Sequence, residues 1–395
     1  MKKRILSLAL ALVMVFGMCF SLSASAADSG VLRFDENGEF KIMHICDCQD
    51  DYPADPDMIT FLDAVIKECQ PDLVILGGDN TVGPPDMTRE DKSNAIKELV
   101  SVFVENKTYF TLVFGNHDHQ QGFTDDELFV MYQEHGKEYC LAYDPHPELT
   151  GTAPHALPVF GSDSAKAELM LYMFDSNEYV SVNGDNDEYD SVHPDQIEWY
   201  KSVSKAAEAV NGKVVPALVF QHIIVGEVYD ALFHETSIDM GELSRSFNGK
   251  TYSFLPRTEN IEEGFLFEFP CPGYYNHGQF DAMVERGDVM GIFSGHDHTN
   301  DFVTELDGIK IINTPGATHG GYSTDFNRGV RMITVKEDNP GTFETEVVTT
   351  RQLAIDNADY AAEVGINKFV AIITIAFGEF LKTMGRFTGI FSRLF

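Results

Sequence analysis

This sequence predicts an α/β protein built on a largely parallel or mixed sheet. Short apolar, β-branched runs alternate with helical patterns from residue 34 to about residue 350, which is how consecutive βα units read in sequence. With 395 residues, 44% of them hydrophobic, the chain can bury the core of one large domain or two ordinary ones.

Strands are expected at 40–46, 73–77, 109–114, 169–174, 214–220 and 290–293, with later ones at 309–312, 330–335 and 343–348. Helical spacing fits 57–68, 89–104, 194–210 and 279–286. The stretches 120–164 and 229–278 are rich in Gly, Pro, Asp and aromatic residues without periodicity. They read as long loops over one rim of the sheet, where substrate selectivity would live. No internal repeat is visible.

The chain opens with Met1-Lys2-Lys3-Arg4, an apolar run over 5–22 and then Ala24-Ser25-Ala26. These are the three regions of a secretory signal peptide over 1–26. An uncleaved anchor is the alternative, but the small residues followed by Asp28 favour cleavage, and Met18 before Cys19 argues against a lipoprotein. The expectation is an exported protein, secreted or associated with the cell surface. Beyond the leader stand Cys46, Cys48, Cys69, Cys140 and Cys271, an odd and scattered set that makes no disulfide framework. Strand alternation turns Cys46 and Cys48 away from the side that Asp47 faces, so both read as packing residues.

A formal net charge of −34 sets up a field that repels polyanions, so no nucleic-acid surface is expected. An acidic protein that handles phosphate needs local positive charge, which bound divalent cations supply. The tail differs in kind. Over 366–395, Phe369, Val370, Ile373, Phe377, Phe380, Leu381, Met384, Phe387, Phe391 and Leu394 recur at helical spacing, with Lys382, Arg386 and Arg393 on the other face. Such an amphipathic helix suits the plane of an anionic membrane; packing on the domain or on another subunit is the alternative. Glu379 and Lys382 interrupt it before a spanning length is reached.

Five separated motifs each place a potential metal ligand just past a predicted strand: Asp47-Cys48-Gln49, Gly77-Gly78-Asp79-Asn80, Gly115-Asn116-His117-Asp118, Gln221-His222 and Gly295-His296-Asp297-His298. Loops at the carboxyl ends of strands in an α/β sheet converge on one crevice. Any one motif could be incidental, but five in register are hard to explain as packing.

Together they resemble the calcineurin-like metallophosphoesterase superfamily, whose pattern reads D-x-H, G-D-x-x, G-N-H-D/E, a lone H and G-H-x-H. Phe174-Asp175-Ser176-Asn177, the segment 194–199 and Asn300-Asp301-Phe302 resemble its purple-acid-phosphatase-related branch. The resemblance implies a catalytic domain over 34–350 with two mixed β-sheets sandwiched between helices (αββα). It implies two divalent metal ions, one held by Asp47, Gln49 and His298, the other by Asn116, His222 and His296, with Asp79 bridging them. Gln49 departs from the usual histidine; its amide oxygen is a harder ligand and shifts the expected metal to Mn²⁺, with Fe or Zn²⁺ as alternatives.

The implied activity is hydrolysis of a phosphomonoester or phosphodiester by a metal-bridging hydroxide. His117 would assist the leaving oxygen, and Asp118 would hold its imidazole in the right tautomer. The competing reading, for which Gln49 is the hint, is a metal-stabilised surface-binding protein of the same fold without turnover. His119, His277, His319 and Tyr322 are candidates for the substrate rim, and Asp175 and Asn177 for support behind the site. His44 and Trp199 read as packing.

Overall fold

The computed structural model describes residues 30–120, 122–182, 184–238 and 244–388, so the expected leader at 1–26 lies outside the described residues. From the amino end, β1 (Glu39–Ile45), α1 (Pro56–Cys69), β2 (Leu73–Gly77), α2 (Arg89–Glu105), β3 (Tyr109–Val113) and α3 (Asp125–Gly136) alternate. Then come β4 (His155–Phe160), β5 (Ala167–Met173), the hairpin β6 (Tyr179–Val182) and β7 (Asp185–Tyr189), α4 (Pro194–Asn211) and β8 (Ala217–Phe220). A short α5 (Val228–Leu232) leads through β9 (Phe233–Glu235), β10 (Ser244–Phe247), β11 (Lys250–Pro256) and β12 (Ile261–Glu263) to α6 (Gln279–Arg286). The chain continues through β13 (Val289–Ser294), β14 (Val303–Leu306), β15 (Ile309–Asn313), β16 (Gly329–Lys336) and β17 (Phe343–Thr349). It ends in α7 (Thr350–Asp356), α8 (Ala358–Glu363) and α9 (Lys368–Thr388).

The strands form two large sheets, ordered β17-β16-β1-β2-β3 and β12-β14-β15-β13-β8-β5-β4. Both are mixed: β1, β2 and β3 run parallel while β16 and β17 are antiparallel additions. In the larger sheet β5, β8, β13 and β15 are parallel, and β4, β14 and β12 are antiparallel.

Period-two alternation sorts the side chains into layers. Ile42, Leu73 and Ile75 meet Leu169, Leu171, Leu218 and Phe293 in one buried cluster between the sheets. Their neighbours Met43, Val74 and Leu76 point the other way, onto α1, α2 and α3. Likewise Met170 and Tyr172 face α4, where Trp199 is core as the sequence suggested. The expected αββα sandwich is the fold observed.

Capping chemistry fixes where the helices start. Asp55 accepts from Asp57 N and Met58 N ahead of Pro56, while Thr88 with Asp91 and Thr124 with Glu127 form capping boxes. The Thr124 box opens a helix inside a stretch expected to be loop. A second correction there is β4, whose Pro158 is tolerated because β4 lies at a sheet edge. The stretch 229–278 also carries structure, including the small sheet β10-β11-β9.

Helix α9 corrects the expected distribution of faces. Lys382 does not stand with a solvated polar side; it turns inward, its Nζ 3.0 Å from Oδ2 of buried Asp301, because that carboxylate needs a countercharge. Ala371 is buried, and Gly378 lies so close to Phe326 that a Cβ there would come within 2.9 Å of it. The helix thus docks along α7 by one edge, leaving Phe369, Val370, Ile373, Phe377 and Phe380 more than half exposed. The side chain of Arg386 and the whole of Arg393 lie outside what is described. Among the described residues, no helix is long and apolar enough to cross a membrane.

Truncating Leu171 to Ala empties space between the sheets and is expected to cost about 2–5 kcal/mol. Urea unfolding followed by circular dichroism checks it.

Candidate metal centre

Each of the five ligand motifs lies at the carboxyl end of a parallel strand. Asp47 and Gln49 follow β1, Asp79 follows β2 and Asn116 follows β3, all in the smaller sheet; His222 follows β8, and His296 and His298 follow β13, in the larger. The loops are stitched to their neighbours within each sheet, and Ala317 links the loop after β15 to the one after β1. Asp47 N donates to Gly78 O at 3.0 Å, Gln49 N to Asp79 O at 2.9 Å, Gly295 N to His222 O at 3.1 Å and Ala317 N to Cys46 O at 2.9 Å.

This convergence needs unusual backbone. Asp47, Gln49, Asp79 and His296 have φ of 51°, 43°, 50° and 71°, in the left-handed region that non-glycine residues rarely occupy. It also needs small neighbours, for a Cβ on Gly115 would sit 2.3 Å from Asp79 Oδ1 and 2.8 Å from His222 Cδ2.

Two groups of ligand atoms result, each with all members within 4.8 Å of one another: Asp79, His222 and His296, and Asp47, Asp79 and His298. Asp79 belongs to both, the geometry of a bridging carboxylate. His222 Nδ1 is bonded to Gly77 O at 2.9 Å and His298 Nδ1 to Tyr322 O at 2.9 Å, so each presents Nε2 to the site. Those Nε2 atoms lie 3.3 Å from Asp79 Oδ2 and 3.4 Å from Asp47 Oδ1. Gln49 brings its amide to 3.1 Å from Asp79 Oδ2.

Asp47 Oδ1, Asn116 Oδ1 and His222 Nε2 are all buried without a hydrogen-bond partner. Buried polar atoms are almost always hydrogen-bonded; here Asn116 Oδ1 has no partner, and Asp47 Oδ1 and His222 Nε2 have only the ion-pair contacts just given, which fits a site for cations. Without metal, protons hold the charge balance. Burial alone would neutralise His222, but Asp79 and Asp47 push it up to about 10. Burial likewise opposes charge on His298, which Asp47 raises to about 9. Burial and the His222 charge lower His296 to about 3. Asp79, although fully buried, is held below the usual carboxylate range by His222 and His117.

His117 reaches the mouth of the site, about one-third exposed, with Nε2 4.0 Å from Asp79 Oδ2. The orienting role expected of Asp118 is corrected. Its Oδ1 accepts from Asn80 N at 2.9 Å and Thr81 N at 3.0 Å, and its Oδ2 from Gly115 N at 2.9 Å. Asp118 therefore pins two ligand loops together, and Gln120, whose side-chain nitrogen bonds His117 Nδ1, orients the imidazole.

Sequence reasoning also missed the aromatic rim. Tyr179 accepts from Asn116 Nδ2 at 2.9 Å, and Tyr189 meets the His296 ring edge-on at 4.3 Å. The β6–β7 hairpin carrying them shows no periodic signal. Tyr322 stacks flat on His298 at 4.0 Å. His119 pairs with Glu178 at 2.9 Å. His277 packs beside His193, and His319 beside Phe61. Behind the site, Ser176 Oγ accepts from Ile223 N, and Asn177 N is held by Asp175. His44 bonds Thr314 and packs between Phe220 and Phe293, a core residue as expected. Asp50 is taken up by the backbone of Asp51 and Asp55.

Comparison with known proteins finds the following likenesses. "Probable inactive purple acid phosphatase 14" of Arabidopsis thaliana is 27% identical over 365 residues, covering 84% of each chain. "Phosphatase DCR2" of Saccharomyces cerevisiae is 26% identical over 300 residues, covering 70% of this chain and 47% of that one. Among solved structures, a dimetal phosphatase from Danio rerio aligns over 78% of this chain and 98% of its own, with 14% identity and a TM-score of 0.46. The sequence profile described as calcineurin-like phosphoesterase matches residues 40–300. The chain is a member of the calcineurin-like phosphoesterase family.

Proposed function

We propose that this chain is an exported dinuclear-metal phosphoesterase that hydrolyses a phosphomonoester or phosphodiester. One observation carries the reading: Asp79 is shared by two ligand groups, with three buried polar atoms beside it that make no hydrogen bond. Asp47, Gln49 and His298 would hold one ion, and Asn116, His222 and His296 the other. Nitrogen and oxygen donors in this mixture suit Mn²⁺, with Fe or Zn²⁺ as alternatives. When bound, such a pair supplies charge to clamp a phosphoryl group and a nucleophile at neutral pH.

The remaining work falls to side chains. With Nδ1 accepting from Gln120, His117 carries its proton on Nε2, toward the ligand cluster, where it can be donated to a leaving oxygen. Tyr179 and Tyr189 wall that side and limit water.

A second reading, surface binding without turnover, is favoured by Gln49 and by the word inactive in the names of plant relatives. Metal-stripped mature protein, reloaded separately with Mn²⁺, Fe²⁺, Zn²⁺, Mg²⁺ or Ca²⁺ and given para-nitrophenyl phosphate or its bis-ester, separates the two. Turnover with a reloaded metal supports the enzyme, and His117→Ala should then lower kcat about 10²–10⁴-fold while keeping its metal. Asp118→Ala, which strands three buried N–H groups, should instead lower metal retention and melting temperature. Folded, metal-loaded protein that stays silent on both esters favours the binding protein.

Metal uptake should release protons, since His222 and His298 are raised above neutrality by their carboxylates and must lose them to coordinate. Affinity is then expected to climb with pH from 6 to 8, by up to roughly a hundredfold per unit when two protons leave. Calorimetric Mn²⁺ titration in buffers of different ionisation enthalpy reads the proton count, and a count of zero contradicts the ligand assignment.

The exposed apolar edge of α9 suits a lipid surface. Residues 366–395 carry four basic side chains against one acidic in a chain of net charge −34, complementary to anionic lipid. Replacing exposed Phe369, Ile373 and Phe377 by Ser should release the protein from anionic vesicles without slowing a small soluble substrate. Vesicle sedimentation that is unchanged by the three replacements sinks this membrane assignment.

A further inference from the structure

Asp125 begins α3 as a carboxylate without compensation. Its Oδ1 is buried with no hydrogen-bond partner. Burial first, then the carboxylates of Asp175, Asp118 and Glu178, push its carboxyl well up. Lys92, the basic group in this neighbourhood, is committed to Thr81 O at 2.8 Å. Facing Asp125 is His119, whose Nδ1 is also buried and unpartnered and whose Nε2 lies 2.9 Å from Glu178 Oε2. Ligand atoms of His119, Asp125 and Glu178 all fall within 4.8 Å of one another.

These residues come from three separate segments: the loop after Asn116, the first turn of α3 and the approach to β6. We propose that His119, Asp125 and Glu178 bind a further divalent cation, separate from the dinuclear centre, that clamps the β6–β7 hairpin against the loop after Asn116. One imidazole and two carboxylates suit Mn²⁺ or Zn²⁺ rather than Ca²⁺. The cation would satisfy both orphaned atoms and offset the repulsion between the Asp125 and Glu178 carboxylates. Its consequence runs through Tyr179, which follows Glu178 in sequence and holds the Asn116 amide at 2.9 Å. A similar group, Asp190, His193 and His277, makes a weaker case. Both Asp190 oxygens are already engaged, by His193 Nε2 and Ser191 N.

The test counts metal rather than activity. Full-length mature protein is loaded with Mn²⁺ or, separately, Zn²⁺, desalted, and measured by native mass spectrometry and elemental analysis. Glu178→Gln, a change at a partly exposed side chain, should lose one equivalent relative to wild type. Asp125→Asn should lose the same equivalent, and Asp79→Asn should retain it while losing metal from the dinuclear centre. Wild-type metal content in both Glu178→Gln and Asp125→Asn overturns the proposal, as does an Asp79→Asn variant holding no metal. Failure of the dinuclear centre to load is recognisable separately: wild type would then hold one equivalent, lost in Glu178→Gln and kept in Asp79→Asn.

Discussion

Asp79 is a carboxylate buried at the seam of two sheets, and much of the surrounding architecture compensates its charge. Its oxygens are met by the His117 N–H at 2.7 Å, the Gln49 amide at 3.1 Å and the His222 ring at 3.3 Å. To let these groups approach, Gly115 gives up any side chain and four of the proposed ligand residues accept left-handed backbone. Each such non-glycine conformation costs of order 1–3 kcal/mol and persists only where the scaffold over-determines it. Here the scaffold is the inter-sheet cluster, with Leu73, Ile75, Leu218 and Phe293 buried completely behind the ligand loops. A rigid core and strained loops are two sides of one arrangement.

The parts legible in sequence were those encoded by local rules. Strand ends followed by Gly-Asp, Gly-Asn or Gly-His could be placed because parallel strands deliver such turns to one edge. The sandwich followed from the family resemblance alone; the structure shows strand alternation sending Val74 and Ile75 to opposite layers of it. What escaped depended on tertiary direction. Asp118 sits next to His117, yet the turn aims its carboxylate at the amides of Thr81 and Gly115. Adjacency in sequence says nothing of that. Helical spacing puts Lys382 on a basic face with Arg386 and Arg393, and the buried Asp301 that turns it inward, 81 residues away, has no local signature. Helix α3 could have been found from its Thr124–Glu127 capping box, since Leu128, Phe129, Met131 and Tyr132 supply the apolar face. The aromatic hairpin offered no pattern, and its relevance follows only from where Tyr179 and Tyr189 land.

The large negative charge of the chain also reads differently beside the site. A body at −34 disfavours an anionic substrate at long range. Asp47 beside Asp79, and Asp175, Asp118 and Glu178 around Asp125, concentrate that disadvantage locally. Cations are the physical remedy in both places. Substrate attraction would thus be a property of the metal-loaded state rather than of the polypeptide alone.

The Lys382–Asp301 contact makes the carboxyl-terminal helix more than an appendage. Asp301 lies three residues beyond His298 in the same loop, and its remaining bonds tie Phe265 N and Arg331 Nη2 to that loop. Loss of the tail would therefore leave a buried carboxylate without its countercharge three residues from His298, a proposed metal ligand.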